Sequence, residues 1–273
     1  MPFRLLHYSD PHFGAYQPQI AREAVEMAKK LEPDLTVVSG DFSMRGRRFE
    51  FALAKEWLAS LPDPVVAFPG NHDVPGLNHI IDRFFSPFRR FRKHISEVEE
   101  PSVKLGDVGS LTTANSSTPF GLHVDWSRGF LSPMQLLAME TFFEDLPEDQ
   151  LRVFGIHHPV LGSGEKARAL VSPMLLVEPS LERAKVDLIL AGHFHQSRIG
   201  LFPEKPSEGR QLVVSLAPSI CSTRLKGEAN GFHLLTLSRD EIEIELWRWQ
   251  SDRFLPERSR GFIRSGAGWD ADN

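Results

Sequence analysis

Along the first two thirds of the chain, short apolar runs alternate with segments in which apolar positions recur every three or four residues. "FRLLHYS" is the first run; after Pro18, a suitable first-turn residue, Ile20, Ala24, Met27, Ala28 and Leu31 keep one face of a helix that Pro33 closes. "DLTVVSG" predicts a second strand, Arg47 to Ser60 a second helix and "PVVAFPG" a third strand, with "LRVFGI" and "VDLILAG" further along. This alternation predicts an α/β layered fold. The last third changes character. "QLVVSLA", "GFHLLTLS" and "EIEIELWRW" read as strands with little helix between, and Ile242, Ile244 and Leu246 alternate with glutamates, as in an antiparallel strand with one wet face. From Pro256 onward Arg, Ser, Gly and Asp prevail, which predicts a flexible tail over 256–273.

Composition narrows the chemistry. A chain of 273 residues buries a sizeable core without staples, and its single cysteine, Cys221, rules out both an internal disulfide and a thiolate metal cluster. Any metal must therefore be held by N and O. The start "MPFRLLHYSD" lacks the features of a signal peptide and no run approaches the roughly 18 apolar residues of a membrane span, so a cytoplasmic location is expected. A net charge of -5 gives no basis for non-specific nucleic-acid binding. The 11 histidines require an explanation that charge does not supply.

That explanation lies where the runs end. "LLHYS" leads into Asp10 and His12, "TVVSG" into Asp41, "VAFPG" into Asn71 and His72, "VFGI" into His157, and "LILAG" into His193 and His195. In open α/β sheets the ligand crevice lies beyond the carboxyl ends of the strands, so these groups can converge from across the sequence. Residues i and i+2 of an extended segment share a face, which lets Asp10 with His12, and His193 with His195, aim two donors at one site. Singly, each motif is an ordinary turn. Together they predict a metal site. His7, His79, His94, His123 and His233 fall off the pattern and read as ordinary core or surface residues, and His158 as a residue of the rim beside the better ligand His157.

In order, "SDPH", "GDFSMRG", "GNHD", "GIHHP" and "AGHFH" resemble the motifs of the calcineurin-like metallophosphoesterase superfamily. The resemblance spans Asp10 to His195 and implies an αββα sandwich of two sheets over 1–255, with a small cap insertion at 76–100, the late strands supplying the second sheet. Carried over by position, Asp10, His12 and His195 would hold one divalent ion, Asn71, His157 and His193 the other, and Asp41 would bridge both. His72 would contact substrate near the leaving oxygen, as proton donor or charge stabiliser. The donor set suits two transition ions, Mn, Fe or Zn. In this chemistry a hydroxide bridging the ions attacks phosphorus in line with the leaving group.

Within the superfamily the chain resembles the bacterial group akin to class III cyclic-nucleotide phosphodiesterases, which implies a small phosphodiester as substrate. It departs from the protein phosphatases twice: Met44 stands where they carry an Asp that orients the catalytic histidine, and Asp73 where they carry Glu. The lipid A pathway pyrophosphohydrolases commonly carry Arg in the place of His72. One segment keeps a lipid reading open. "IIDRFFSPFRRFRKHI" sets Phe84, Phe85, Phe88 and Phe91 among Arg83, Arg89, Arg90, Arg92 and Lys93, broken by Ser86 and Pro87. Such a segment is either a cap helix packed on the body or a basic, aromatic lip, formed by Phe88, Arg89 and Phe91, for a substrate or an anionic membrane surface. Arg224, in "CSTRLKGEANG", is a further candidate phosphate contact. The alternatives to the cyclic-nucleotide reading are hydrolysis of a lipid-linked phosphodiester or pyrophosphate at a membrane surface, and a non-catalytic scaffold on the same fold.

Overall fold

The computed structural model describes residues 2–119, 127–160, 170–203, 210–266 and 268–272. The chain opens as the periodicity predicts. Strand β1 (Phe3–Tyr8) leads to helix α1 (Pro18–Leu31), then β2 (Leu35–Ser39), α2 (Arg48–Leu58) and β3 (Val65–Phe68). Pro18 opens α1, whose buried face is Ile20, Ala24, Met27, Ala28 and Leu31, and Glu32 ends it in a left-handed conformation (φ 48°). Next come two single-turn-scale helices, α3 (Ile80–Phe85) and α4 (Arg89–His94), separated at Ser86–Pro87, followed by β4 (Ser102–Leu105), β5 (Gly109–Ala114), β6 (Gly129–Phe130) and α5 (Pro133–Glu144). The remainder is β7 (Leu151–Ile156), β8 (Val171–Ser172), α6 (Met174–Arg183), β9 (Leu188–Ala191), β10 (Arg198–Phe202), β11 (Leu212–Leu216), β12 (Gly231–Leu237), β13 (Glu241–Gln250), β14 (Arg253–Ser265) and β15 (Gly268–Ala271).

Two sheets form the middle of the molecule, in the orders β15-β14-β13-β12-β1-β2-β3 and β10-β11-β9-β7-β5-β4. Their facing sides meet in one apolar layer: Leu5, Val37, Phe68, Leu235 and Ile244 from the first sheet against Leu111, Val153, Leu188, Leu190 and Val213 from the second. On its outer side the first sheet buries α1, α2 and α4 through Tyr8, Phe42, Phe51, Trp57 and Phe91. The second covers α5 and α6 through Phe143, Phe154, Val177 and Leu181. Helix, sheet, sheet, helix is the order of layers, because each sheet is apolar on both faces and needs a partner on each.

Two expectations are corrected here. Of the three late runs, "GFHLLTLS" (β12) pairs antiparallel with β1 and "EIEIELWRW" (β13) follows it in the first sheet with β14 and β15, and only "QLVVSLA" (β11) joins the second sheet, between β9 and β10. The predicted flexible tail is instead strands β14 and β15. Its residues 257–260 are exposed, which gives it the composition of a tail, but Phe254, Phe262 and Trp269 anchor it in the core. Pro256, which cannot donate a ladder hydrogen bond, sits beside a register shift at Leu246/Trp247 in the β13 pairing. No helix among the described residues is long and apolar enough to cross a membrane.

Candidate metal centre

The five predicted strand ends come together across the rim of the sandwich, β1, β2 and β3 contributing from one sheet and β7 and β9 from the other. Parallel pairing sets their level: Tyr8 lies opposite Val38, and Val38 opposite Ala67. Past the strands the ladder continues as Asp10 N–H to Gly40 carbonyl (3.2 Å) and His12 N–H to Asp41 carbonyl (3.0 Å). Turning side chains inward requires unusual backbone. Asp10, His12, Asp41, His193 and His195 all have left-handed φ, from 49° to 76°. Each such residue is strained by roughly 1–2 kcal/mol, and strain of this kind gathers at functional sites. Gly40 (φ 86°) and Gly70 leave no room for a side chain: a Cβ would lie 2.5 Å from His157 Nδ1 and 2.2 Å from Asp41 Oδ1 respectively.

Nitrogen and oxygen atoms able to ligate a metal face one another across the rim. Asp41 Oδ1 accepts the His72 N–H (2.8 Å), which leaves Oδ2 at 3.4 Å from His12 Nε2 and 3.3 Å from His157 Nε2. Asp10 Oδ2 accepts from Ser9 Oγ (2.5 Å) and the His193 N–H (3.0 Å), while its Oδ1 lies 3.3 Å from His195 Nε2 and has no hydrogen-bond partner. The imidazole tautomers follow from their other nitrogens. His157 Nδ1 donates to the Ser39 carbonyl (2.7 Å) and His195 Nδ1 to the Arg224 carbonyl (2.8 Å), so both Nε2 lone pairs point at carboxylate oxygens. His12 Nε2 and His195 Nε2 meet at 3.0 Å, and His193 Nδ1 meets Asn71 Oδ1 at 3.0 Å. Asp10 Oδ1 and His157 Nε2 are buried with no hydrogen-bond partner, and an N/O set gathered in this way fits divalent transition ions.

The electrostatics agree with that reading. Burial works against charging His157, but the Asp41 carboxylate beside it outweighs burial and raises its pKa to about 9. Burial would raise Asp10, yet His195 and His12 hold it well below the usual carboxylate range, and His157 and His72 do the same for Asp41. At His12 burial outweighs the Asp10 and Asp41 carboxylates beside it and lowers it to about 4, and burial likewise lowers His193 to about 3. Asp73 ties the loops together by accepting from the backbone N–H of Phe42 (3.2 Å), Ser43 (2.9 Å) and Gly70 (3.0 Å).

Asp10, His12, Asp41 and His195 thus form one cluster and His157, His158 and His193 the other; Asn71 joins the second through His193 Nδ1, and Asp41 faces both. His72 stands beside them: its Nδ1 donates to the Met44 carbonyl (2.8 Å) and its Nε2 faces Arg224 Nη1 (2.9 Å). Main chain therefore orients His72 at the very position where the sequence showed no acidic side chain to do so. A cavity of about 530 Å³ opens beside the clusters, lined also by Ser127, Phe194, Gln196, Arg224 and Lys226.

His158 is corrected: it is fully buried rather than at the rim, bonded through Nδ1 to Ser116 Oγ (2.9 Å), with its ring 4.6 Å from that of His193. Its burial follows from the aromatic and apolar floor under β7, which a lone "HH" does not announce. His7 and His233 are core residues, His79 is exposed, and His94 stacks on Phe51; His123 lies outside the described residues. Of the two readings of the aromatic and basic segment, the cap helix packed on the body holds and the lip is corrected. Phe88 and Phe91 are buried in the core beneath α4, Phe91 at 5.8 Å from Phe42, and exposed Arg89 pairs with Asp82. None of the three lines the cavity, since α4 turns its aromatic face to α2. Arg224 does line it, and Ser9 and Asp73 are supports whose signal in sequence is no more than adjacency to a ligand.

Residues 3–197 match the family described as calcineurin-like phosphoesterase. The 3',5'-cyclic adenosine monophosphate phosphodiesterase CpdA of Vibrio vulnificus is 26% identical over 85% of this chain and 80% of its own length, and that of Escherichia coli K12 is 27% identical over 83% and 78%. A probable glycerophosphodiester phosphodiesterase, GpdQ of Arcobacter nitrofigilis, is 29% identical over 50% of this chain, which spans only 45% of that relative. In fold, the chain superposes on PhoD (TM-score 0.72, 12% identity, 100% of this chain and 72% of that one) and on purple acid phosphatase PPD1 from yellow lupin seeds (0.67, 16%, 97% and 54%).

Proposed function

Because the chain belongs to the calcineurin-like phosphoesterase family, and is thereby a metal-dependent hydrolase of phosphoric esters, we propose that it is a dinuclear phosphodiesterase acting on a small diester of the cyclic-nucleotide kind. One observation carries the dinuclear part: Asp41 Oδ2 lies 3.4 Å from His12 Nε2 and 3.3 Å from His157 Nε2, a single oxygen shared by two donor clusters. Asp10, His12 and His195 would hold one ion, Asn71, His157 and His193 the other, and Asp41 both. Two such ions, Mn, Fe or Zn, supply charge neutralisation for a phosphoryl group and a water acidified toward neutral pH.

The chain's own residues prepare the rest. Carbonyl contacts at Nδ1 fix His157 and His195 so that Nε2 stays available, and the His72 N–H keeps Asp41 Oδ1 occupied so that Oδ2 faces the clusters. His72 and Arg224 border the cavity where a substrate would lie. The substrate names attached to CpdA and GpdQ share one chemistry, a small phosphodiester, and support that class here. Metal analysis and a panel of cyclic nucleotides, glycerophosphodiesters and aryl phosphomonoesters test the proposal. Up to two transition ions per chain, diester turnover abolished by chelator and restored by Mn are expected. Absence of bound metal, or hydrolysis of monoesters alone, would remove it.

A second reading, a lipid-linked diester or pyrophosphate at a membrane surface, draws on one observation: α3 exposes Ile80, Ile81 and Phe85 (58, 76 and 83%). Salt-sensitive binding to anionic vesicles would favour it, and its absence favours the soluble diester.

A further inference from the structure

Arg224 is the cation whose surroundings the metal centre does not explain. It lies on the loop between β11 and β12, half-buried at the cavity, and has no carboxylate partner among the described residues. Its main-chain carbonyl holds His195 and its side chain reaches back to His72, Nη1 meeting Nε2 at 2.9 Å and Met44 Sδ at 3.9 Å. A carbonyl only accepts and a guanidinium only donates, so the Met44 carbonyl on Nδ1 and Arg224 on Nε2 fix His72 as the Nδ1–H tautomer with its lone pair on the arginine. In this arrangement His72 presents no proton to the cavity. It is instead the perch of a cation.

Only Nη1 of the guanidinium is taken up in this way. The edge formed by Nε and Nη2, which pairs bidentately with two oxygens of a phosphate, has no hydrogen-bond partner among the described residues. An arginine with one nitrogen docked, its chelating edge free and no counterion is pre-ordered to receive an anion. We propose that Arg224 is a substrate-phosphate ligand of this chain, a bidentate clamp on the phosphoryl oxygens held in place by His72. This rests on the phosphoesterase reading and assigns to Arg224 the charge stabilisation that the sequence motif suggests for His72. Met44 fits the assignment: its main chain orients His72, and no acidic side chain competes for the guanidinium.

The test uses metal-loaded protein, inorganic phosphate as probe in calorimetry, and an aryl phosphodiester for turnover. Arg224→Ala and Arg224→Lys leave the carbonyl that holds His195, so metal content should equal wild type. Phosphate affinity and kcat/KM should each fall about 10- to 100-fold in Arg224→Ala. Lysine should recover only part of that loss, because it keeps the charge and lacks the fork. Added guanidinium should restore turnover to Arg224→Ala and not to wild type. His72→Ala should weaken phosphate binding in the wild-type background but add little to Arg224→Ala, since the two act as one unit. Unchanged phosphate affinity in both Arg224 variants would overturn the proposal, as would full recovery by lysine or additive losses in the double variant. Diester hydrolysis with Arg224-independent phosphate binding would sink the clamp and spare the phosphoesterase reading. Arg224-dependent phosphate binding by a protein that hydrolyses nothing in the panel would do the reverse.

Discussion

Strand β9 connects two buried charge clusters of opposite character. Before its first residue stands Asp187, fully buried, with both carboxylate oxygens satisfied: Oδ2 accepts the Arg152 N–H (2.9 Å), and Oδ1 accepts from Trp269 Nε1 (2.9 Å) and Arg210 Nη2 and forms an ion pair with Arg264 Nη1 (3.2 Å). Arg264 also lies over the Trp269 ring at 4.9 Å. After the last residue of β9 stand His193 and His195, in a cluster where Asp10 Oδ1 and His157 Nε2 are buried without a hydrogen-bond partner. The sandwich therefore has one end whose carboxylate is matched by the chain's own cations and one end whose carboxylates are not. A buried carboxylate matched by the chain's own cations holds structure together, whereas one left with an unpartnered oxygen shows what must come from outside.

The comparison breaks first at Asp41. Asp41→Asn should lose more than the ~100-fold in metal affinity and turnover that supporting residues command, since one carboxylate would serve both proposed ion sites, while the metal-free protein should lose only the stability that the Asp41–His157 pair supplies. Metal analysis and melting curves check both halves; a variant with full metal content and rate would show that the bridge is misplaced. Asp187→Ala should do the opposite. Loss of one partner of a buried pair destabilises by about 3–5 kcal/mol, here toward the lower figure because Arg210 and Arg264 reach solvent, with metal bound per folded chain unchanged. Denaturant unfolding that shows no loss would remove the structural role of that end.

Acid sharpens the contrast with a smaller, graded effect. In the metal-free protein, burial lowers His7 to about 3, His12 to about 4 and His193 to about 3, from an ordinary 6.5. Their unfolded forms take up protons first, so the stability they contribute is complete above pH 6.5 and is lost as pH falls toward 4. His157, raised to about 9, has the reverse sign: its contribution is complete below pH 6.5 and fades as pH rises through 9. His158 and His233 are lowered as well, and together the lowered histidines outweigh the raised His157 and His195 and the raised Asp73, so urea midpoints of chelated protein should drop from pH 7 to 5. A flat profile would mean that these histidines are hydrated.

The proposed ligand set was legible because each of its residues follows an apolar run, a pattern in one dimension that parallel sheets turn into proximity. Asp10, Asp41, Asn71, His157 and His193 needed no knowledge of packing. The supports were not legible: Asp73 bonds to the backbone of Phe42 and Ser43, about thirty positions away, and the Met44 contact with His72 uses a carbonyl that every residue type possesses. Aromatic residues misled where charge surrounds them. Phe88 and Phe91 are neighbours of arginines in sequence, yet the helix turns them into the core and leaves Ile81 and Phe85 outside. The C-terminal strands were misread for the complementary reason, since a hairpin exposed along much of its length has the composition of a tail.

The proposed ligands come from loops of both sheets, Asp10, Asp41 and Asn71 from one and His157, His193 and His195 from the other. With a single cysteine the chain has no internal covalent cross-link. Ions bound between these loops would act as a clasp that joins the layers at one rim, tying position 10 to position 195. Because the clasp forms only in the folded chain, its strength is set by the supply of metal, as RT ln(1 + [L]/Kd), and not by the sequence alone. Starved of metal, the layers would first part at this rim, giving hydrogen exchange that is fast near Asp10 and His193 and slow around Asp187. Catalytic readiness and the closing of the sandwich would then be a single event.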